Sequence, residues 1–174
     1  GSKMKTCAFT GHRPQSLPFG FDENNIGCVR LKEKLREQIL FKIENEGVRR
    51  FLSGMALGTD LFAAKIVIQL RESYPDISLF AIIPCASQPS KWSSFQQERY
   101  KNVLRLCEHA IVLQKEYTSN CMRKRNEYLI DHADCIIAVW DGSLSGTGQT
   151  VQLAKQKGIS ITALNPQTLE VSYL

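Results

Sequence analysis

With 174 residues, 43% hydrophobic and 22% charged side chains, the chain has the size and composition of a folded soluble protein with a sizeable core. No apolar run approaches the roughly 20 residues of a membrane-spanning helix, and the N-terminus lacks the apolar stretch of a secretory signal. The formal charge of +5 permits an anionic ligand or a nucleic acid and selects neither.

Residues 5–10 form the first of six short apolar runs that read as strands. The helix that follows carries Val29, Leu31, Leu35, Ile39, Leu40 and Ile43 at threes and fours, and Gly47 closes it as a left-handed cap. A strand over 49–53 leads to a helix from about 59 to 73, stopped ahead of Pro75. Then come a strand over 77–83, a helix over 91–107, a strand over 109–113 and a helix over 119–132. The last elements are a strand over 135–140, a helix over 148–157 ended by Gly158, and a strand over 160–163. Strands that are apolar throughout are buried on both faces, the mark of a parallel sheet covered by helices. The alternation predicts an α/β, doubly wound, Rossmann-like fold with a mainly parallel sheet of about six strands. Residues 4–174 read as one domain, with Gly1-Ser2-Lys3 a vector-derived remnant.

Six cysteines show no CxxC pair, so no zinc site is expected. Reduced thiols in a cytoplasmic protein are the default. Cys7 and Cys135 lie inside apolar runs and read as buried small hydrophobes.

Ligands of open parallel sheets gather beyond the carboxyl ends of the strands, so four segments stand out. Thr10-Gly11-His12-Arg13 follows the first strand; it offers a hydroxyl, a close backbone approach and a guanidinium fork for phosphate or carboxylate. Ser53-Gly54-Met55-Ala56-Leu57-Gly58-Thr59-Asp60 follows the second and opens a helix; Thr59 or Asp60 is the expected N-cap, and the helix N-terminus suits phosphate. Asp141-Gly142-Ser143-Leu144-Ser145-Gly146-Thr147-Gly148 follows the fifth. It can cradle phosphate through N–H groups and hydroxyls, although no Walker A or GxGxxG pattern is present. In Met122-Arg123-Lys124-Arg125-Asn126, helical spacing puts Met122, Arg125 and Asn126 on one side and turns Lys124 to solvent. His12 is the one histidine at a candidate site, while Trp92 and Phe95 read as either lid or core.

These motifs together resemble the YpsA family, uncharacterised bacterial proteins within the SLOG superfamily of Rossmann-like domains. The likeness rests on Thr10-Gly11-His12-Arg13, the Ser53 to Asp60 segment, Arg125-Asn126, Asp141-Gly142 and Ser145-Gly146-Thr147, and it spans nearly the whole chain. The Ser53 to Asp60 segment is also similar to the corresponding stretch of DprA, the DNA-processing protein. The resemblance implies a nucleotide-derived ligand, ADP-ribose-like molecules included, between the glycine-rich loops. It suggests a homodimer and supplies no reaction. The related LOG-type phosphoribohydrolases carry a catalytic glutamate where Thr150 stands here, and a threonine is no carboxylate base.

Three functions are weighed. The leading one is binding or sensing of a nucleotide-like phosphate ligand, with no metal site and with no cofactor required by the sequence. The second is a nucleotide-processing hydrolase using Asp60, Asp141 or Glu98, with His12 as proton carrier. The last is nucleic-acid binding through the basic cluster, which lacks interleaved aromatic platforms.

Overall fold

The computed structural model describes residues 4–174, so the remnant assigned to residues 1–3 lies outside the described residues. Five helices and seven strands alternate as β1 (Lys5–Gly11), α1 (Ile26–Glu46), β2 (Val48–Ser53), α2 (Thr59–Leu70), β3 (Ser78–Ile83), α3 (Ser94–Arg105), β4 (His109–Val112), α4 (Cys121–Asp131), β5 (Cys135–Val139), α5 (Gly146–Lys157), β6 (Ser160–Leu164) and β7 (Val171–Tyr173). A short 3-10 turn, Pro14–Ser16, follows β1. The strands lie in one sheet, in the order β4-β3-β2-β1-β5-β6-β7. All neighbours are parallel except β6 and β7. The fold is therefore Rossmann-like and doubly wound. Among the described residues no helix is long and apolar enough to cross a membrane.

Alternation along the buried strands feeds two cores. Cys7, Phe9, Phe51 and Ile137 point to the face covered by α1, α2 and α3. Ala8, Leu52, Ile136 and Ala138 point to the face covered by α4 and α5. Cys7 and Cys135 are register partners on β1 and β5 and are buried, the environment their apolar runs predicted. The chain changes face after β4, so strand order reverses between β1 and β5. The loops leaving these two strands diverge there, and a crevice opens at their carboxyl ends.

Two readings of the strands need correction. His109, Ala110 and Val112 of β4 are exposed, because that strand ends the sheet and is not covered on both faces. A seventh strand, β7, was not predicted. It has three residues and pairs antiparallel with β6, Leu164 opposite Val171, after a turn in which Asn165 Oδ1 accepts from the N–H of Gln167. Helix starts moved with their caps. Asn25, Ser93 and Ser145 each accept a hydrogen bond from an N–H of the first turn, so α1 begins at 26, and α3 and α5 begin at 94 and 146 rather than at 91 and 148. Gly47 does close α1 in the left-handed conformation, at φ 70°.

Candidate functional site

The crevice between β1 and β5 holds a cleft of about 300 Å³. Its floor is the end of β1, with Thr10, Gly11 and His12; Arg13 stands at its rim. Arg125 and Asn126 of α4 enter from one side, and Ser145, Gly146 and Thr147 bring the N-terminus of α5. Asp60 of α2 completes the predicted residues that line it. Ser145 is the N-cap of α5, and its hydroxyl accepts from the Gly148 N–H at 3.1 Å. The N–H groups of Gly146 and Thr147 precede any intrahelical acceptor, so this terminus presents donors and partial positive charge to the cleft.

Arg125 is 5% exposed and held from three directions. Its Nη1 donates to the Gly54 carbonyl at 2.7 Å and its Nε to Asn126 Oδ1 at 2.9 Å. Its Nη2 meets the Met122 sulfur at 3.9 Å, a weak acceptor that leaves this edge of the fork under-used. The guanidinium lies so close over Gly54 that a Cβ there would stand 2.1 Å from Nη1. The nearest carboxylate, Asp60, is 4.0 Å away and 5% exposed. Burial pushes the Asp60 carboxyl up, against the pull of Arg125, and the same desolvation pushes the Arg125 guanidinium down. Both charges are thus poorly compensated by each other, and an incoming anion would find a cation still short of partners.

The remaining predicted residues lie outside the lining of the cleft. Ser53, Gly54, Met55, Gly58 and Thr59 of the second loop do not line it, and neither do Asp141, Gly142 and Gly148. Gly58 is the N-cap of α2, with no side-chain cap bond, which corrects the expectation of Thr59 or Asp60 there. The Thr59 hydroxyl and N–H instead donate to the His12 carbonyl, at 3.0 and 3.3 Å. Asp60 accepts from the Ala56 N–H at 3.2 Å, and Ser53 Oγ donates to the Asp60 carbonyl at 2.9 Å. The leading N–H of α2 is already used by protein, so α5 rather than α2 offers the open helix terminus.

His12 is 3% exposed, with Nε2 3.0 Å from Asp141 Oδ1 and 3.2 Å from the Asp141 N–H. One nitrogen cannot donate and accept together, and the carboxylate is both nearer and charged, so Nε2–H donates to Oδ1. That bond ties the β1 turn to the β5 loop. Asp141 also accepts from the Ser143 N–H at 2.9 Å. Hydrogen bonding from Ser143, then from His12, holds its carboxyl at about 2. A carboxylate depressed on folding stabilises the protein above its unfolded value, 3.8, and that stability is lost as pH falls through the folded one. Urea midpoints between pH 5 and 2 are expected to drop more steeply for the native chain than for Asp141→Asn. Parallel profiles would contradict this role.

Ala56 of the second predicted segment also lines the cleft, as do four residues that the sequence did not single out, Phe9, Gln15, Ser16 and Leu129. Gln15 and Ser16 follow the first motif with only Pro14 between, and that nearness was the available signal. Glu98 is exposed on α3 outside the lining. Thr150 is buried, and its hydroxyl donates to the Gly146 carbonyl at 3.0 Å, so it reaches no ligand. Arg123 and Lys124 are exposed while Arg125 is buried, which splits the basic cluster as helical spacing predicted. Trp92 is partly buried against the core, and Phe95 is exposed.

The family model YpsA, described as the YspA SLOG family, matches residues 7–169. The chain belongs to the YpsA family. Consistent with this, it is 34% identical over 166 residues to the uncharacterised SPbeta prophage-derived protein YoqJ of Bacillus subtilis, covering 86% of this chain and 97% of that one. It is 30% identical over 174 residues to a UPF0398 protein of Halalkalibacterium halodurans, covering 96% and 91%. Among solved structures, DNA processing protein A (DprA) of Streptococcus pneumoniae shares the fold with a TM-score of 0.63 at 18% identity, over 94% of this chain and 51% of that one. DprA of Helicobacter pylori, solved in a study of its single-stranded DNA binding mode, gives 0.61 at 16% identity, over 97% and 68%. This YpsA-family chain thus shares its fold with the two DprA proteins.

Proposed function

We propose that the chain binds a nucleotide or nucleotide-derived ligand, with a phosphate between the N-terminus of α5 and the guanidinium of Arg125. The observation that carries this reading is the convergence of Gly146, Thr147 and the under-used Nη2 edge of Arg125 on one cleft at the strand-order reversal. A helix terminus and a fork-shaped cation are the two devices best suited to phosphate oxygens. Arg13, exposed at the rim, adds a second cation with freedom to close on the ligand. The same reading places the protein in the cytoplasm, where such ligands are abundant and free thiols stay reduced.

Chemistry on the ligand is less well supplied. Asp60 and Asp141 are engaged with Ala56, His12 and Ser143, and Thr150 offers no charge. Nucleic-acid binding ranks below a small ligand because Arg123, on the outer face of α4, is paired with Glu127 at 3.6 Å and has no aromatic platform beside it.

The test is thermal unfolding with AMP, ADP, ATP, NAD, ADP-ribose and ribose 5-phosphate. A ligand at about a hundred times its dissociation constant stabilises by roughly 2.7 kcal/mol, or about 5–10 °C for a chain of this size. Arg13→Ala, at an exposed position, is expected to keep the unliganded midpoint and to weaken the hit about tenfold. No shift with any of the six at millimolar concentration would refute the reading.

A further inference from the structure

We propose that a second cavity, continuous with the phosphate end of the cleft, seats a nucleobase, so that the ligand is a complete nucleotide and not a bare sugar phosphate. This rests on the phosphate-binding reading above. The second cavity has about 360 Å³ and shares Arg13, Gln15, Ala56 and Met122 with the first. The two therefore form one elongated site.

The lobes differ in chemistry. The first presents a helix terminus, hydroxyls and a buried cation. The second presents the rings of Trp92 and Tyr117 and the apolar surfaces of Leu57 and Met122, with Ser87 and Gln88 as polar points. Flat aromatic and thioether surfaces suit a planar heteroaromatic ring, while a few polar groups suit its hydrogen-bonding edge.

The aromatic wall is pinned in place. Gln97 Nε2 donates to the carbonyls of Pro89, Ser90 and Trp92, at 3.0, 3.3 and 3.1 Å. The Trp92 ring stands edge-on to Tyr100, with centroids 5.4 Å apart. Gln88 Nε2 donates at 3.3 Å to the Gly54 carbonyl, the same oxygen that holds Arg125 Nη1. The base lobe and the phosphate lobe are thereby fixed to one another through a single backbone group. Tyr117, at 65% exposed, lies at the mouth with room to swing over a bound ring.

Isothermal titration of AMP, GMP and ribose 5-phosphate into the native protein, Tyr117→Ala and Trp92→Phe tests the assignment. At least one nucleotide is expected to bind the native protein about tenfold or more tighter than ribose 5-phosphate, the scale of a base–aromatic stack. Tyr117→Ala is expected to narrow that gap while leaving ribose 5-phosphate unchanged. Tryptophan fluorescence is expected to be quenched by the nucleotide and not by the sugar phosphate, and the quench to be lost in Trp92→Phe, which keeps an aromatic ring against Tyr100. Equal affinities in the native protein, or a gap unchanged in both variants, would overturn the base seat and leave the phosphate reading standing. No binding by any of the three would remove both.

Discussion

Replacing Gly58 by alanine is expected to destabilise the protein by roughly 3 kcal/mol, the sum of a strained backbone and an overpacked contact. Gly58 sits at φ 87° and ψ −130°, a region that L side chains rarely enter. Its missing Cβ would stand 2.8 Å from the His12 carbonyl oxygen and 3.1 Å from the Arg13 Cα. Both are backbone atoms, so no rotamer change relieves the contact. The His12 carbonyl would have to move, and with it the bond from the Thr59 hydroxyl that joins the first and second loops. A midpoint lower by about 6–12 °C is the expected reading for a chain of this length. The surviving folded fraction is expected to bind ligand more weakly, because Thr10 to Arg13 line the cleft. A shift under about 2 °C would show that the loop junction is slack.

Arg125→Met is expected to abolish ligand binding, by about a hundredfold or more, since it removes the buried fork without leaving a hole. Its effect on stability is expected to depend on pH. Burial pushes the Asp60 carboxyl up, and the charge of Arg125 pulls against that rise; without the cation the carboxyl rises further. An acid whose folded value lies above its unfolded one holds its proton more tightly when folded. Stability is then lost as pH rises from the unfolded value, 3.8, through the folded one. The gap between native and variant midpoints is therefore expected to be small near pH 4 and to widen toward pH 7, at up to about 1.4 kcal/mol per pH unit for the one proton. A gap constant across that range would show that Asp60 and Arg125 are not electrostatically coupled.

Much of this arrangement is legible in the residues. The five strands that lie inside the sheet, β1, β2, β3, β5 and β6, announce themselves as apolar runs because burial on both faces leaves few polar positions. The same reasoning overstates burial at β4, since an apolar run does not say which strand ends the sheet. It misses β7, whose three residues are too few to show a period. At the site, Thr10 to Arg13, Asp60, Arg125, Asn126 and Ser145 to Thr147 are placed in the cleft by strand ends and helical spacing alone. What the sequence cannot separate is lining from support. Thr59 looks like a cap until its hydroxyl is found on the His12 carbonyl, 47 residues away, and Asp141 looks like a ligand-binding acid until it is found on His12, 129 residues away. Met55, buried with φ at 62°, gives no local sign of its left-handed backbone. Trp92 was open between lid and core; its edge is packed on Tyr100 while it also lines the second cavity.

The most direct test of the phosphate site is amide NMR of the native protein during titration with AMP and with ADP-ribose. The largest shifts are expected at the N–H groups of Gly146 and Thr147 and at the Arg125 Nη2 protons, with Thr59, already bonded to the His12 carbonyl, moving little. Saturable shifts centred away from α5, or no shift at millimolar ligand, would contradict a phosphate seat at this helix terminus.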